Sequence, residues 1–255
     1  MRPISVVIIV KNEALVIPKL LESVKGLTDD VVVADTGSTD HTIEVAKQNG
    51  ARVEQLEWLG FGPTKNAALK LAKYDWVLFL DADEPIDREL LSFLQSVSLD
   101  NDKVLYKISF KNYFGDQLIR YGEWGNECKI KLFNRNVAQW DNTQIHEKVI
   151  PPPGAIIKKA NGYLLHQLAD NIYAQTQKIN KYADLVALKY QQQGKQAGWF
   201  KLYVYPFYQF LFFYIFKLGF LDGRLGFVTS YLSAYYSFLK YHRLKELNRQ
   251  SKKSL

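Results

Sequence analysis

The chain has a single cysteine, Cys128, among its 255 residues, so it cannot form an intramolecular disulfide bond. This excludes the small disulfide-dependent scaffolds, and one free thiol fits a reducing cytosol. Hydrophobic residues make up 47% of the chain and charged residues 23%, which is ordinary for a globular protein with a full-sized core. The length suits one α/β domain with an extension, or two small domains.

The N-terminal residues lack the features of a targeting segment. A short β-branched run at residues 4–10 follows one arginine, but no small-residue cleavage site comes after it. Lys11 and Glu13 follow directly. We therefore expect this run to be a buried first strand.

Apolar β-type runs alternate with helical patterns over the first hundred residues. The runs lie at residues 4–10, 31–34, 52–56 and 76–80. The helical patterns lie at residues 14–24, 41–49, 64–72 and 88–97. This alternation predicts an α/β fold with a mostly parallel sheet, whose ligands bind beyond the carboxyl ends of the strands.

The pattern changes after residue 104. Short β-type stretches at 104–110, 129–133 and 147–150 predict a mixed or antiparallel extension of the same sheet. From residue 169 to the end we expect helices.

Polar residues follow the first two predicted strands. Asn12 and Glu13 come after the first strand, where they suit either contacts with a nucleotide or a helix-capping turn. Asp35 ends the second strand just before Gly37. An acceptor-only carboxylate in that place suits the N–H of a base or a ribose hydroxyl.

Lys65 and Asn66 fall in the first turn of the third predicted helix. A cation there opposes the helix dipole, so it indicates an anion nearby. A nucleotide phosphate or the Asp35 carboxylate would supply one. The alternative is a solvated lysine.

The strongest local signal is Asp81-Ala82-Asp83, directly after an apolar strand. Carboxylates two residues apart in an extended backbone point to the same side. They repel each other unless a cation neutralises them, and oxygen ligands favour Mg²⁺ or Mn²⁺. The alternative is a polar loop that caps the next helix, although Asp87 is already available for that role.

Together these motifs resemble the family 2 glycosyltransferases of the GT-A fold, and more narrowly the bacterial lipopolysaccharide core β-glucosyltransferase group. The similar segments, in chain order, are residues 10–13, 35–40, 65–66, 81–83, 122–124, 131–135, 145–147, 165–166 and 219–223. The Gln-x-x-Arg-Trp motif of processive synthases is absent, which argues against polymer synthesis.

The resemblance implies roles for individual residues. The nucleotide part of the donor would be held by Glu13, Asp35, Lys65, Asn66 and Asp81. The metal, Mg²⁺ or Mn²⁺, would be held by Asp81, Asp83 and His146.

Family 2 enzymes are inverting, and the resemblance therefore implies a carboxylate base that activates an acceptor hydroxyl. Two acids of the second half qualify. Glu147 follows His146 at a predicted strand start, and Glu127 lies near Trp124. We expect Glu147 to be the base and keep Glu127 as the alternative. As a candidate ligand, His166 ranks below His146.

The C-terminal region is basic and aromatic. From residue 189 onward the chain has eleven Lys and Arg residues against two acids, and residues 199–216 are its most apolar stretch. That stretch contains Pro206 and Gln209 and is shorter than the roughly 20 apolar residues of a membrane span. It favours an interfacial helix pair on an anionic membrane, while a packed helical subdomain is the alternative, and both can hold. Nucleic-acid binding is not expected.

The predicted organisation is a GT-A catalytic domain over residues 1–168 and a helical, aromatic-rich extension over residues 169–255. The nucleotide-sugar half of the domain covers about residues 1–100, and the acceptor half residues 101–168. The resemblance predicts metal-dependent transfer of a hexose from a UDP-type sugar donor to a lipopolysaccharide core or another membrane-linked glycan. The site would be the inner face of the cytoplasmic membrane.

Two other functions compete with this prediction. A sugar nucleotidyltransferase needs a glycine-rich loop for a triphosphate after the first strand, and residues 11–13 contain no glycine. A non-catalytic sugar-nucleotide-binding protein is the second alternative. The presence of both Asp81 and Asp83 counts against it.

Overall fold

The computed structural model describes residues 2–143 and 147–253, with side chains up to residue 251. The chain divides into two compact units. The first unit comprises Met1–Phe110 and Cys128–His166, and the second comprises Lys111–Glu127 and Gln167–Leu255. The first unit ends at His166, two residues before the predicted end of the catalytic domain at residue 168. The segment Lys111–Glu127, which the sequence places in the catalytic domain, groups with the C-terminal unit.

The strands follow the predicted order along the chain. They are β1 (Ile4–Val10), β2 (Val31–Asp35), β3 (Arg52–Gln55), β4 (Trp76–Asp81), β5 (Val104–Phe114), β6 (Gln117–Ile119), β7 (Cys128–Asn134), β8 (Gln139–Trp140), β9 (Val149–Ile150) and β10 (Ile156–Ala169). The main sheet has the order β10-β5-β7-β4-β1-β2-β3, with β6 paired to β5, and β8 pairs with β9 separately.

The two halves of the main sheet differ in direction. β1 is parallel to both β2 and β4, and β2 is parallel to β3. β7 runs antiparallel to β4 and to β5. A mostly parallel half with an antiparallel extension confirms the predicted α/β architecture.

The parallel strands are buried on both faces. Successive side chains of β1 enter two different apolar cores, with Val6 and Ile8 in one and Val7 in the other. The helices of this unit are α1 (Ile17–Ser23), α2 (Thr42–Gln48), α3 (Phe61–Leu69) and α4 (Arg88–Ser96). Helices on both faces are what a sheet with two apolar faces requires.

The starts of the helices depend on local chemistry. α4 begins where predicted, because Oδ1 of Asp87 accepts a hydrogen bond from the backbone N–H of Leu90 at 2.9 Å. α3 begins earlier than predicted, at Phe61. Pro63 lies in its first turn, where a missing N–H costs no helical hydrogen bond.

The sequence does not predict β10, which includes two consecutive exposed lysines and Gly162. Gly162 has a positive φ of 89°, and a Cβ there would lie 2.1 Å from the backbone nitrogen of Leu90. A glycine is therefore needed for β10 to pass the first turn of α4. This strand carries His166.

The second unit is mainly helical after residue 171, as predicted. Its helices are α5 (Ile172–Gln192), α6 (Tyr205–Leu211) and α7 (Gly223–Lys253), with π-helical turns at Phe200–Val204 and Phe212–Phe216 and a 3₁₀ turn at Gly219–Asp222. α5 packs along α7 and buries Ile179, Ala183, Val186 and Ala187. The C-terminal helices thus have a core of their own.

In the part of the chain that the structure describes, no single helix has both the length and the apolar character of a membrane span. One bent pair, Phe200–Phe216 with Gly219–Ser251, meets the length and composition test together, with an angle of 71° between its helices. Several of its aromatic side chains are exposed, among them Trp199, Tyr203, Phe207 and Phe216.

Candidate active site

The predicted acids meet at one edge of the sheet. Val10 pairs with Asp35 of β2, and Ile9 pairs with Asp81 of β4. Because the strands are parallel, Asp35 and Asp81 lie on either side of the carboxyl end of β1. This is the point of a parallel sheet at which ligands are usually bound.

Asp35 is buried and serves its own turn. Its Oδ2 accepts hydrogen bonds from the backbone N–H groups of Gly37 and Ser38, both at 3.0 Å. From the sequence, Asp35 is expected to bind a nucleotide base or ribose. The structure shows that at least one carboxylate oxygen is used locally.

Asn12 does not cap α1, which is one of its two predicted uses. Its backbone has a positive φ of 57°, and its Oδ1 accepts a hydrogen bond from the backbone N–H of Thr39 at 2.8 Å. The backbone N–H of Glu13 donates to Oγ1 of Thr42 at 2.8 Å. The loops after β1 and β2 are thereby joined, with the Glu13 side chain half-buried between them.

Five side chains of alternating charge meet at the end of β4, and we call them the ion chain. They are, in order, Glu84, Lys131, Asp81, Lys65 and Glu147. Lys65 Nζ lies 3.2 Å from Asp81 Oδ1 and 2.6 Å from Glu147 Oε1. Lys131 Nζ lies 3.1 Å from Asp81 Oδ2 and forms a close ion pair with Glu84.

Burial and charge act against each other in the ion chain. Burial favours a raised pKa for Asp81, but the charges of Lys131 and Lys65 outweigh it and hold the pKa well below its usual value. Burial raises the pKa of Glu84 to about 7, in spite of the neighbouring Lys131. Burial alone lowers the pKa of Lys131, yet Asp81 and Glu84 together raise it.

Lys65 is not the solvated lysine that the sequence leaves as an alternative. Its side chain is only 6% exposed, and its ammonium group lies 4.5 Å from the ring centroid of Trp140 and 5.4 Å from that of Phe79. The anion expected near it is present. It is supplied by Asp81 and Glu147 rather than by Asp35.

Asn66, predicted at the nucleotide, has a structural contact. Its Nδ2 donates to the carbonyl of Trp140, and its Oδ1 accepts from the backbone N–H of the same residue, both at 2.9 Å. This paired bond fixes β8 against α3 and explains Asn66 without a ligand. Its role at the donor stays a prediction.

Asp83 faces His166 of β10. The imidazole Nε2 lies 3.4 Å from Oδ2 of Asp83, whose side chain is 38% exposed. Burial by itself favours a raised pKa for Asp83, but the hydrogen bond and charge of His166 outweigh it and lower the pKa. The sequence ranks His166 below His146. His146 lies outside the described residues, whereas His166 is placed directly at the predicted metal carboxylate.

The segment before Glu147 is anchored to α3. The backbone N–H of Gly62 donates to the carbonyl of Thr143 at 3.1 Å. A Cβ on Gly62 would lie 1.9 Å from the carbonyl oxygen of Asp141, so only glycine fits there. Lys65 lies one turn further along α3, and its ammonium group forms the ion pair with Glu147.

Glu127, the alternative base, belongs to the second unit. Its Oε2 accepts a hydrogen bond from Nδ2 of Asn112 at 3.0 Å. Glu123 of the same unit lies near Ser233, Lys240 and Glu127, and burial raises its pKa.

The donor atoms near β4 fit a hard divalent cation. Asp83 offers a partly exposed carboxylate with an imidazole beside it, while both oxygens of Asp81 face lysine ammonium groups. Among residues 2–143 and 147–253, no three His, Cys, Asp or Glu side chains form a metal shell. One or two carboxylates, completed by water and substrate phosphates, are the usual protein share of a Mg²⁺ site. The arrangement favours Asp83 over Asp81 as the direct ligand.

Comparison with known proteins defines the class of this fold and site. The model of glycosyl transferase family 2 matches residues 5–160. The chain therefore belongs to the family 2 glycosyltransferases. The predicted family and the predicted GT-A type of fold are confirmed.

Two individual relatives are similar to this chain over most of its length. An uncharacterized glycosyltransferase of Rickettsia typhi is 34% identical over 99% of this chain and 90% of its own length. The lipopolysaccharide core biosynthesis glycosyltransferase LpsC of Rhizobium meliloti is 28% identical over 93% of this chain and 90% of its own length.

Among solved structures, glucosyl-3-phosphoglycerate synthase from Mycobacterium tuberculosis, in complex with Mn²⁺, UDP and glucosyl-3-phosphoglycerate, is 28% identical. The match covers 44% of each chain with a TM-score of 0.34. A match of that extent and score defines neither a common fold nor a common site.

Proposed function

We propose that this glycosyltransferase transfers a hexose from a UDP-type donor to a lipopolysaccharide core or another membrane-linked glycan, with inversion and with Mg²⁺ or Mn²⁺. The observation that carries the proposal is the group of side chains at the carboxyl edge of β4. There a partly exposed Asp83–His166 pair adjoins the buried ion chain. The similarity to LpsC supports a lipopolysaccharide core as the acceptor.

Asp83 and His166 would hold the metal ion in this proposal. When bound, the ion supplies positive charge for the diphosphate leaving group. Lys65 and Lys131 are 6% and 1% exposed, so they stay below the surface and do not reach a diphosphate directly. Their role is to fix Asp81, whose carboxylate is 39% exposed, towards the ribose.

The general base is proposed to be Glu147. Its carboxylate belongs to the ion chain, in which Lys65 contacts it at 2.6 Å, and this supports the assignment. To accept a proton, the carboxylate must present its second oxygen to the acceptor hydroxyl. Glu127 is the second candidate, and its carboxylate accepts a hydrogen bond from the neutral amide of Asn112.

The extension is proposed to hold the enzyme on the inner face of the cytoplasmic membrane. Its support is the combination of exposed aromatic side chains at residues 199–221 with the basic residues Lys201, Lys217 and Arg224. Aromatic residues of this kind favour the headgroup region, and basic residues favour anionic lipids.

The proposed reaction is tested with purified protein, UDP-hexoses and a truncated lipopolysaccharide core, with Mg²⁺, Mn²⁺ or excess EDTA. We expect UDP release that requires both acceptor and metal, and an inverted anomeric configuration in the product by proton NMR. Asp83→Asn should abolish transfer, and Asp116→Asn, an exposed control in the second unit, should not. Release of pyrophosphate from a nucleoside triphosphate would instead identify a nucleotidyltransferase, and binding without turnover a non-catalytic protein.

A further inference from the structure

Three lysines surround two neighbouring tyrosines in the second unit, and we call this group the lysine–tyrosine cluster. Lys195 lies 4.2 Å from the ring centroid of Tyr190. Lys240 and Lys201 lie 5.0 Å and 5.7 Å from that of Tyr241. The two rings are 6.4 Å apart, so the three ammonium groups lie next to a pair of neighbouring aromatic rings.

The cluster has no matching acid among the described side chains. None of its three lysines forms an ion pair within 4.0 Å there. The acids of the adjoining helices are committed elsewhere, because Asp184 and Glu246 both pair with Arg243, at 3.0 Å and 3.1 Å. Glu123 is the carboxylate that acts on Lys240, at longer range. Converging cations without a partner favour an external anion.

The backbone around the cluster is held in place. The N–H of Lys195 donates to the carbonyl of Tyr190 at 2.9 Å, and the carbonyl of Lys195 accepts from Nδ2 of Asn248 at 2.9 Å. Gln191 Nε2 donates to Ser251 Oγ at 2.9 Å. The turn after α5 is thus tied to the end of α7, so less ordering is needed when a ligand binds.

The tyrosines add hydrogen-bond donors to the charge. Burial is the main reason why the pKa of Tyr241 is raised to about 12, so its hydroxyl stays protonated at neutral pH. Burial also lowers the pKa of Lys240, an effect that a neighbouring anion would offset. Ammonium and hydroxyl donors together suit the oxygens of a phosphate group.

Exposed aromatic side chains adjoin the cluster in sequence. Trp199 is 70% exposed, Tyr203 is 62% exposed, and Lys201 stands between them. Tryptophan and tyrosine favour the level of lipid headgroups, where phosphates lie. This neighbourhood favours a phosphate on a membrane surface over one in solution.

We infer that the lysine–tyrosine cluster is a binding site for a phosphate monoester presented at a membrane surface. The inference rests on the proposed membrane association and adds a specific headgroup chemistry to it. A phosphate monoester carries about −1.5 to −2 charges at pH 7 and three acceptor oxygens. A phosphodiester headgroup offers fewer of both.

The test compares vesicles of phosphatidylcholine that contain either phosphatidic acid or phosphatidylserine, matched for surface potential. We expect the full-length protein to bind the phosphatidic acid vesicles roughly tenfold more tightly, as two or three charge-assisted hydrogen bonds would give. The triple variant Lys195→Gln, Lys201→Gln, Lys240→Gln should lose this preference. The corresponding triple Lys→Arg variant should keep it, because the charges remain.

A matched control removes the same number of positive charges from residues of α5 and α7. Lys181, Lys245 and Arg249 are exposed on α5 and α7 and lie outside the cluster. Their triple change to Gln should weaken binding to both vesicles and leave the preference intact. Circular dichroism and thermal melting confirm that each variant is folded.

Other outcomes distinguish a failure of the phosphate site from a failure of the proposed membrane association. Equal binding of the full-length protein to both anionic vesicles would overturn the phosphate site and leave membrane association standing. Retention of the preference in the Lys→Gln cluster variant would also overturn the site. No binding to either vesicle would overturn both.

Discussion

Nε2 of His166 lies 3.4 Å from Oδ2 of Asp83, although the two residues are 83 positions apart in the sequence. β10 brings the histidine to the sheet edge where β4 ends. In the proposed metal site, the imidazole would either share the metal ion with Asp83 or orient the Asp83 carboxylate. Each use requires both residues to be present.

His166→Gln is therefore expected to lower metal affinity by roughly 10- to 100-fold, the range for groups that orient a metal ligand. Asp83→Asn should have at least the same effect. Electron paramagnetic resonance of Mn²⁺ measures this without turnover. His242→Gln, which changes a histidine of the second unit, is the control and should bind Mn²⁺ normally. Unchanged Mn²⁺ affinity in both site variants would refute the metal assignment.

Glu147→Gln is expected to lower kcat by about 10²–10⁴, the usual contribution of a general base. The amide keeps the size of the side chain but cannot accept the proton. Donor affinity, measured by calorimetry, should change little. If Glu127→Gln produces this loss and Glu147→Gln stays active, the two acids exchange roles.

Asp35→Ala is expected to raise KM for the donor with kcat nearly unchanged, since a contact with the base is equal in ground and transition states. It should also reduce stability by about 1–3 kcal/mol, because the backbone N–H groups of Gly37 and Ser38 lose their charged acceptor. Asp40→Ala is the control, as Asp40 also accepts backbone hydrogen bonds in this loop. Its effect should be confined to stability. A large fall in kcat for Asp35→Ala would contradict the assignment.

Asp81→Asn is expected to reduce the free energy of unfolding at neutral pH by about 1–3 kcal/mol, because Lys65 and Lys131 lose one charged partner but each keeps another carboxylate. The pKa of Asp81 in the folded protein lies well below 3.8, so this stabilisation is complete above that value. It is lost as the pH falls from about 3.8 through the folded pKa. Urea unfolding at several pH values should show the gap between wild type and variant closing on the acid side.

The pH dependence of stability expected from the neighbouring Glu84 has the opposite sign, so Glu84 serves as the control. Its folded pKa of about 7 lies above its ordinary 4.5, so the folded state holds an extra proton between these values. Wild-type stability should decline across that interval as the pH rises, and Glu84→Gln should remove this contribution. A gap for Asp81→Asn that stays constant down to pH 2 would argue against the ion chain.

Phe216→Ser is expected to weaken sedimentation with anionic vesicles and to lower the fraction that remains bound at high salt. The side chain is 72% exposed, so its replacement should leave the fold unchanged. Leu15→Ser, the same kind of change at an exposed residue of the first unit, should have no effect. Binding of wild type should fall as salt screens the basic residues, with a remainder from the aromatic side chains. Equal loss in both variants would exclude a specific role for the extension.

Period and composition are sufficient to predict the parallel half of the fold. The buried strands β2 and β4 are continuous apolar runs that end at Asp35 and Asp81. The family motifs add the residues of the site. β10 could not be predicted in this way, because exposed lysines and a glycine interrupt its apolar pattern. That glycine is needed only for the contact with α4.

The contacts of the charged residues also could not be predicted from the sequence. The helix-dipole argument predicts an anion near Lys65, and one is present, but which acid supplies it depends on where the end of β4 and Glu147 lie in the fold. Lys131 gives one usable signal, since it interrupts the apolar run of β7 and must find acids when buried. Its partner Glu84 is the third acid of the motif after β4.

Gly62 determines how closely α3 can approach the backbone of Asp141 and Thr143. Lys65 lies on the helix that touches the backbone of Asp141 and Thr143 at this residue, and the contact leaves no room for even one carbon atom. A methyl group there would push the two segments apart while leaving every charged group in the protein. The spacing between α3 and a loop that precedes the proposed base thus depends on the absence of a single side-chain carbon.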